Sequence, residues 1–383
     1  MKTYLAITPF FPSKTNFRGS YVFDQLNTIQ QKHDYQVKVI LITSCYVIKK
    51  TPYIFQGIEC YPFRVWDLPS FILPGIFSSI NNFRLDFFLK KNKIILKKDD
   101  IVHAHVTYPA AYFSVFLKKK YKLKAFVQHH GLDPFQLKLG RFLQLKEKVQ
   151  NRIIIKRNRK VLSYHNLNIG VSETVIIKLK SFFKKKKIKT TILYNGVDTT
   201  KFYPLTKKPL NKVFTIGCVA NFWKLKDQIT LIKAVEILLL NGLKIEVKFV
   251  GSGKEKYNCV SYVKKHQLEE HFDFKEELKH TDLNLFYNQL DLFVLPSFNE
   301  ALGCVYLESW AANTPFIGVK NQGIEELVPE KMKNHMLINE RDEKELAEKI
   351  KYFMNHKFLC AFNEELKIDH TIKKFMLEIE KLD

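Results

Sequence analysis

The sequence has no hydrophobic run approaching the roughly 18 residues that a membrane-spanning helix needs, so it offers no bilayer span. Its six cysteines, Cys45, Cys60, Cys218, Cys259, Cys304 and Cys360, include no C-x-x-C pair. Such scatter argues against a zinc site or a disulfide framework, and it predicts reduced, buried thiols in the cytoplasm. Internal repeats and low-complexity tracts are missing too. The short apolar stretch from Met1 to Phe11 is followed by no small-residue cleavage pattern, so it reads as a first strand and not a signal peptide. Acidic residues are scarce, 38 against 62 lysines and arginines, which leaves a formal charge of +24.

A surface of that sign attracts polyanions of any kind, so nucleic acid, an anionic membrane face and phosphorylated substrates all remain open. Lysine is spread along most of the chain and clusters at Lys184, Lys185, Lys186 and Lys187. The cluster reads equally well as a solvated face. Hydrophobic residues at 46% and charged residues at 26% give the balance of a folded soluble protein. At 383 residues the chain exceeds what one core supports, and we expect two domains.

Short β-branched or aromatic runs alternate with longer amphipathic ones. In the first half, Tyr4–Thr8, Val37–Thr43, Ile101–Ala104 and Ala125–His129 read as strands, with helices over Tyr21–Lys32 and Ala110–Lys120 between them. A polar stretch with two prolines, Tyr203 to Pro209, suits a linker. The alternation then restarts: strands at Phe214–Ala220, Lys244–Val250, Leu292–Leu295 and Phe316–Val319, and helices at Gln228–Asn241 and Cys304–Asn313. This pattern predicts parallel sheets covered on both faces, in two doubly wound Rossmann-like domains facing across a cleft. In such sheets ligands lie beyond the carboxyl ends of the strands, which directs attention to the loops there.

The most informative segment is Phe293 to Ile324, FVLPSFNEALGCVYLESWAANTPFIGVKNQGI. A strand ends at Pro296, a loop carries Glu300 and Gly303, and a helix begins near Cys304. The first turn of a helix presents unpaired N–H groups and the positive end of its dipole, a ready site for a diphosphate. Gly303 lets a phosphate approach the backbone closely. Glu300 in the loop suits sugar hydroxyls, and Glu308 within the helix suits a ribose. Two glutamates eight apart are otherwise common, and their setting gives them meaning.

Here the sequence resembles glycosyltransferase family 4, whose E-x7-E signature follows a P-S turn and precedes a small-residue helix and a Pro-bounded strand. Pro296, Ser297, Glu300, Gly303, Glu308, Ala311, Ala312, Pro315, Gly323 and Glu326 match in order. The segments IGVSET (169–174) and YNGVDTTKFYP (194–204) resemble the family's hinge-proximal blocks. GCVANFWKLKD (217–227) resembles the strand-loop segment in which an arginine and a lysine hold the donor diphosphate. Lys226 falls on the lysine position, whereas Asn221 replaces the arginine. Lys224 is a substitute for the missing charge, or an ordinary solvated lysine. TPFFPSKTNFRGS (8–20) resembles the loop whose glycine, Gly19, lies close to the transferred group. VHAHVTYP (102–109) and QHHGLD (128–133) resemble segments of the cleft floor, with His130 at the position expected near donor sugar and acceptor. His103, His105 and His129 stay as packing residues.

The resemblance implies the GT-B fold, with an N-terminal acceptor-side domain over 1–204 and a C-terminal nucleotide-sugar domain over 205–360. A final helix, Ala361 to Lys381, would cross back onto the first domain. It further implies a retaining transfer of a hexose-type sugar from a UDP- or GDP-sugar donor. Donor contacts would come from Gly19, Asn221, Lys224, Lys226, Leu302, Gly303, Cys304 and Glu308, with Glu300 and His130 as the catalytic pair. The acceptor would be a saccharide or lipid-linked saccharide, in bacterial surface polysaccharide synthesis. No D-x-D triplet occurs, so we expect no metal and no other cofactor. Basic and aromatic residues interleave in Phe71 to Lys98 and in Leu137 to Lys160, which suits peripheral contact with an anionic inner membrane face and equally suits solvated helices. Two alternatives stand behind this reading: a nucleotide-sugar epimerase or hydrolase of related fold, and a basic nucleic-acid binder. Nothing resembles an RNA-recognition or zinc module, and nucleic acid is not expected as a partner.

Overall fold

The computed structural model describes residues 2–14, 16–48, 50–68, 73–137, 144–183, 187–206, 211–356 and 361–382, without the side chains of 144–147. Lys184 to Lys186, part of the linker stretch, Cys360 and parts of both basic-aromatic segments lie outside the described residues. The chain divides into two compact domains, Met1–Asn195 with Ile372–Asp383, and Gly196–Thr371. The division falls ahead of the proline-bearing stretch at 203–209, and the last residues of the chain belong to the first domain.

The first domain contains the strands β1 (Lys2–Thr8), β2 (Tyr35–Ser44), β3 (Tyr53–Phe55), β4 (Ile58–Val65), β5 (Ile101–Ala104), β6 (Lys124–His129), β7 (Leu167–Gly170) and β8 (Thr190–Ile192). They form one sheet in the order β3-β4-β2-β1-β5-β6-β7-β8. All neighbours run parallel except β3, which turns back on β4 at Gln56–Gly57. Helices α1 (Ser20–Lys32), α2 (Ser78–Lys91), α3 (Tyr112–Tyr121), α4 (Gln144–Leu162) and α5 (Glu173–Ser181) connect the strands. Strand β1 is buried from Thr3 to Thr8, as a parallel strand with helices on both faces must be. Leu5 and Ile7 on β1, Val102 and Ala104 on β5, and Ala125 and Val127 on β6 join Leu85 and Leu89 of α2 and Phe113 and Leu117 of α3 in one core.

In the second domain, β9 (Phe214–Val219), β10 (Ile245–Val250), β11 (Phe272–Lys275), β12 (Leu292–Val294), β13 (Phe316–Val319) and β14 (Leu337–Ile338) pair in the order β11-β10-β9-β12-β13-β14, all parallel. Helices α6 (Gln228–Leu240), α7 (Lys256–Lys265), α8 (Leu283–Asn288), α9 (Cys304–Ala311), α10 (Glu330–Met336) and α11 (Glu343–Asn355) link them. Numbered within the domain, this is the 3-2-1-4-5-6 order of the doubly wound fold. Chain direction across the sheet reverses between β9 and β12 here, and between β1 and β5 in the first domain. Those two gaps are where such sheets open a crevice.

Several expected elements shift. Helix α3 begins at Tyr112, two positions after the expected start, because an irregular turn occupies Thr107–Ala111. The expected terminal helix is shorter: a 3-10 turn at Glu364–Leu366 precedes α12 (Ile368–Glu380). Cys60, Cys218 and Cys259 are free and buried as expected, whereas Cys45 and Cys304 are half-buried.

Candidate active site

One strand at each switch point, β1 and β12, leads into a helix whose first residue follows a glycine in left-handed conformation. Gly303 precedes α9 at φ 77°, and Gly19 precedes α1 at φ 90°. Neither helix start receives a side-chain cap. Elsewhere in the same domains the Ser172 hydroxyl accepts from the Val175 N–H at 3.3 Å to cap α5, and the Asp342 carboxylate accepts from the Glu345 N–H at 2.8 Å to cap α11. Capping by Ser or Asp stabilises a helix by about 1 kcal/mol. Helices α2, α3, α6, α7, α8 and α10 also start without a side-chain cap; α1 and α9 differ in lying at the switch points, where each presents the positive end of its helix toward a crevice.

In the second domain the loop after β9 carries Asn221, Lys224 and Lys226, and the loop after β12 carries Glu300, Leu302 and Gly303. The Lys226 ammonium donates to the Glu300 carboxylate across this switch point. A surrounding lattice fixes the pair. Ser297, fully buried, places its hydroxyl 3.1 Å from both Glu300 Oε2 and the Leu225 carbonyl, two acceptors for its one proton. The Glu300 N–H donates to Gln322 Oε1 at 2.7 Å, and the Gly323 N–H donates to the Glu300 carbonyl at 3.2 Å. The Phe298 N–H donates to the Leu225 carbonyl at 3.0 Å, stitching one loop to the other. Lys226 keeps a quarter of its side-chain surface exposed and Glu300 somewhat less, so both can also meet a ligand.

Gly303 cannot be replaced at this spot without strain, since a Cβ there would lie 2.7 Å from the Tyr306 ring. That ring is fully buried, and its hydroxyl donates to the Leu295 carbonyl at 2.6 Å. Glu308 sits one turn into α9 and accepts from the Tyr287 hydroxyl at 2.8 Å. Burial, followed by the Glu308 charge, drives the Tyr287 phenol well above its usual pKa, so it remains a donor. The Leu302 side chain is buried, which leaves only its backbone for a ligand.

Asn221 is exposed and supplies no charge; its carbonyl accepts from the Trp223 N–H at 2.8 Å and from Gln228 Nε2 at 3.2 Å. Lys224 lies exposed on a 3-10 turn, Lys224–Lys226. Together with Trp223, Phe298 and Arg341 it borders a pocket of about 190 Å³. Among the sequence-expected cations Lys226 alone is joined to Glu300.

The first domain builds its switch point from neutral groups. A Cβ on Gly19 would meet the Phe10 carbonyl carbon at 2.6 Å, so the loop after β1 closes tightly on the start of α1. His130, after β6, packs its ring against Tyr21 of α1 at 5.0 Å and stacks on His105, after β5, at 5.4 Å and 11°. Nδ1 of His105 and Nε2 of His130 share a hydrogen bond of 3.1 Å. Burial, with the neighbouring imidazoles next, pushes both rings well below the usual histidine pKa. Both are then neutral, and one proton lies between them. His105 Nε2 and His130 Nδ1 are buried without a protein partner among the described residues. His105 was thus missed as a site neighbour by sequence reasoning. Its only signal was the H-x-H spacing at the end of β5, which puts His103 and His105 on the same face of the strand. His103 bonds the Tyr4 hydroxyl at 2.7 Å, and His129 lies 3.4 Å from the Thr107 hydroxyl.

Two family models divide the chain: one described as Glycosyltransferase Family 4 matches residues 22–201, and one described as Glycosyl transferases group 1 matches residues 205–370. The chain belongs to the family 4, group 1 glycosyltransferases and is a transferase of sugars. An uncharacterized glycosyltransferase of Methanocaldococcus jannaschii is 26% identical over 299 residues, 76% of this chain and 73% of the relative. An O-antigen biosynthesis glycosyltransferase of Escherichia coli is 33% identical over 136 residues, 34% of this chain and 37% of that protein. Among solved structures, the Escherichia coli trehalose-6-phosphate protein bound with UDP-2-fluoro glucose superposes with a TM-score of 0.71, at 10% identity, over the whole of both chains. That is a likeness of fold, and the fold is GT-B.

Proposed function

We propose that this glycosyltransferase takes a hexose from a UDP- or GDP-sugar and places it, with retention at the anomeric carbon, on a saccharide or lipid-linked saccharide in the synthesis of a bacterial surface polysaccharide. The acceptor is presented at the anionic inner face of a membrane, which the protein touches peripherally. The reading is carried by the Lys226–Glu300 pair at the β9/β12 switch point, beside a helix start that no side chain caps. An ammonium has three donors, so Lys226 can hold Glu300 and a phosphate oxygen together. As the bond from the anomeric carbon to the diphosphate breaks, Lys226 and the first turn of α9 stabilise the charge left on the leaving oxygens. The acceptor oxygen joins the anomeric carbon on the same face, and its proton passes to the departing phosphate. Glu300 anchors sugar hydroxyls and bonds neither carbon nor metal. The name of the O-antigen relative and the UDP-sugar bound to the structural neighbour support this choice of donor and pathway.

A panel of UDP-, GDP- and ADP-sugars, scored by thermal stabilisation, tests the donor. A ligand at a hundredfold its Kd stabilises the folded state by about 2.7 kcal/mol. Lack of response to every nucleotide sugar would refute the reading. Initial rates should survive excess EDTA; loss on chelation, restored by Mg²⁺ or Mn²⁺, would mean that a divalent ion stands in for the charge absent at Asn221. NMR of the product distinguishes retention from inversion, and free sugar released without acceptor would mark a hydrolase instead.

A further inference from the structure

Helix α2 has two apolar faces. Asn81, Leu85 and Leu89 face the domain core. On the opposite side Ile80, Phe83 and Phe87 stand 47%, 75% and 64% exposed, and Ile76, just ahead of the helix, is 47% exposed. Spacings of three and four make these residues one stripe. Trp66, at the end of β4 and 49% exposed, extends it. Its N–H donates to the Asn81 side chain at 3.0 Å, its carbonyl accepts from the same amide at 2.7 Å, and the Arg84 guanidinium covers its ring at 4.7 Å.

Positive charge predominates along this stripe. From Ile76 to Lys98 the sequence places Arg84, Lys90, Lys91, Lys93, Lys97 and Lys98 against a single carboxylate, Asp86. Asp86 is itself offset by Lys120, by Lys90 at 3.3 Å and by the Tyr121 hydroxyl at 2.8 Å. The cores of protein interfaces are depleted in lysine, whereas an aromatic stripe edged by lysines matches the headgroup layer of an anionic bilayer. The other basic segment differs: α4 exposes Lys148, Arg152, Lys156 and Lys160 at helical spacing and contains no aromatic residue. It offers attraction without insertion.

We propose that α2 is the membrane-docking face of the first domain. Ile76, Ile80, Phe83 and Phe87 enter the headgroup layer of an anionic bilayer, Trp66 lies at its edge, and Lys90 and Lys91 meet the lipid phosphates. The inference deepens the preceding reading, in which the acceptor is carried on lipid, by naming the surface that reaches it.

The test is sedimentation of the full chain with vesicles of phosphatidylcholine alone and of an equimolar mixture with phosphatidylglycerol. Binding to the mixed vesicles only is expected, with Trp66 emission shifting to the blue in a Trp223→Phe background. Replacing both Phe83 and Phe87 by Ser should weaken binding at least about tenfold, and Lys90→Glu with Lys91→Glu about as much. Unchanged melting temperatures would show that these surface variants fold. Equal vesicle binding by wild type and the double serine variant, or no binding by wild type, would overturn the proposal. So would a serine variant that changes only the oligomeric state, since the stripe would then join copies of the chain. Vesicle binding that depends on the stripe, together with no stabilisation by any nucleotide sugar, would uphold the docking face and remove the functional reading on which its acceptor rests.

Discussion

The two switch points place different side chains on the same backbone frame, and under the proposed function they meet different chemical problems. Each has a left-handed glycine ahead of an uncapped helix, Gly19 before α1 and Gly303 before α9. In the second domain that frame holds a charged pair, Lys226 and Glu300; in the first it holds neutral imidazoles, His105 and His130. A leaving diphosphate gains charge in the transition state and needs a cation already in place. An acceptor hydroxyl is neutral and is better met by uncharged donors and acceptors. The frame comes from the fold, and the chemistry from the side chains grafted on it.

The largest effect should come from the charged side. Glu300→Ala should lower turnover on the order of a thousandfold with little change in melting temperature, because it removes a sugar anchor and strands Lys226. Near wild-type turnover in the purified variant would remove Glu300 from the site. Lys226→Ala should cost about a hundredfold in kcat/KM for the donor. If efficiency is unchanged, the diphosphate is held elsewhere, and Lys224 is the next residue to replace.

The shared frame can be tested by itself. Gly19→Ala and Gly303→Ala should each destabilise the protein by about 1–3 kcal/mol, as non-glycine residues forced into such conformations do. The larger loss should be at Gly19, where the added methyl meets backbone rather than a side chain. Chemical denaturation measures both, and equal midpoints with wild type would show that the left-handed turns are not required.

Two smaller effects belong to the neutral side. His105→Asn should lower kcat about tenfold through His130, with KM for the donor unchanged and the acid limb of the pH profile displaced. A pH profile that keeps its shape would make His105 a packing residue after all. Acid should also weaken the first domain before the second. Burial pushes His103 and His165 down to about 3 and His129 to about 4. Unfolded, each takes a proton near pH 6.5, so the unfolded chain binds more protons below that pH. This stabilisation is complete above pH 6.5 and declines as pH falls toward 4, by about 1 kcal/mol per unit for each histidine. Urea midpoints followed at Trp66 for the first domain and Trp310 for the second, in single-tryptophan variants, would show whether the first falls faster.

Much of the fold was legible in the sequence because a parallel strand buried on both faces is a continuous apolar run. Ile101–Ala104 and Phe316–Val319 have the bounds read from sequence. Strand β4, IECYPFRV, escaped notice because Glu59, Pro62 and Arg64 interrupt its run. The terminal helix was read too long because Glu364–Leu366 has helical composition yet closes only a 3-10 turn before α12.

At the site, sequence by itself determined which groups are present: Glu300 and Glu308 eight apart, Gly303 ahead of a helix, Lys226 after β9, and the absence of an arginine at Asn221. It could not say that Lys226 and Glu300 touch, because 74 positions separate them and only the adjacency of β9 and β12 joins them. Nor could it place His105 beside His130, the one histidine it singled out: the two meet because β5 and β6 are neighbours in the sheet and end side by side. The tertiary structure likewise decided which apolar residues of α2 face outward, since Leu85 and Phe83 differ in sequence by two positions and in environment by the whole width of the helix. Local pattern fixes what a segment is made of; partners far along the chain fix what its side chains meet.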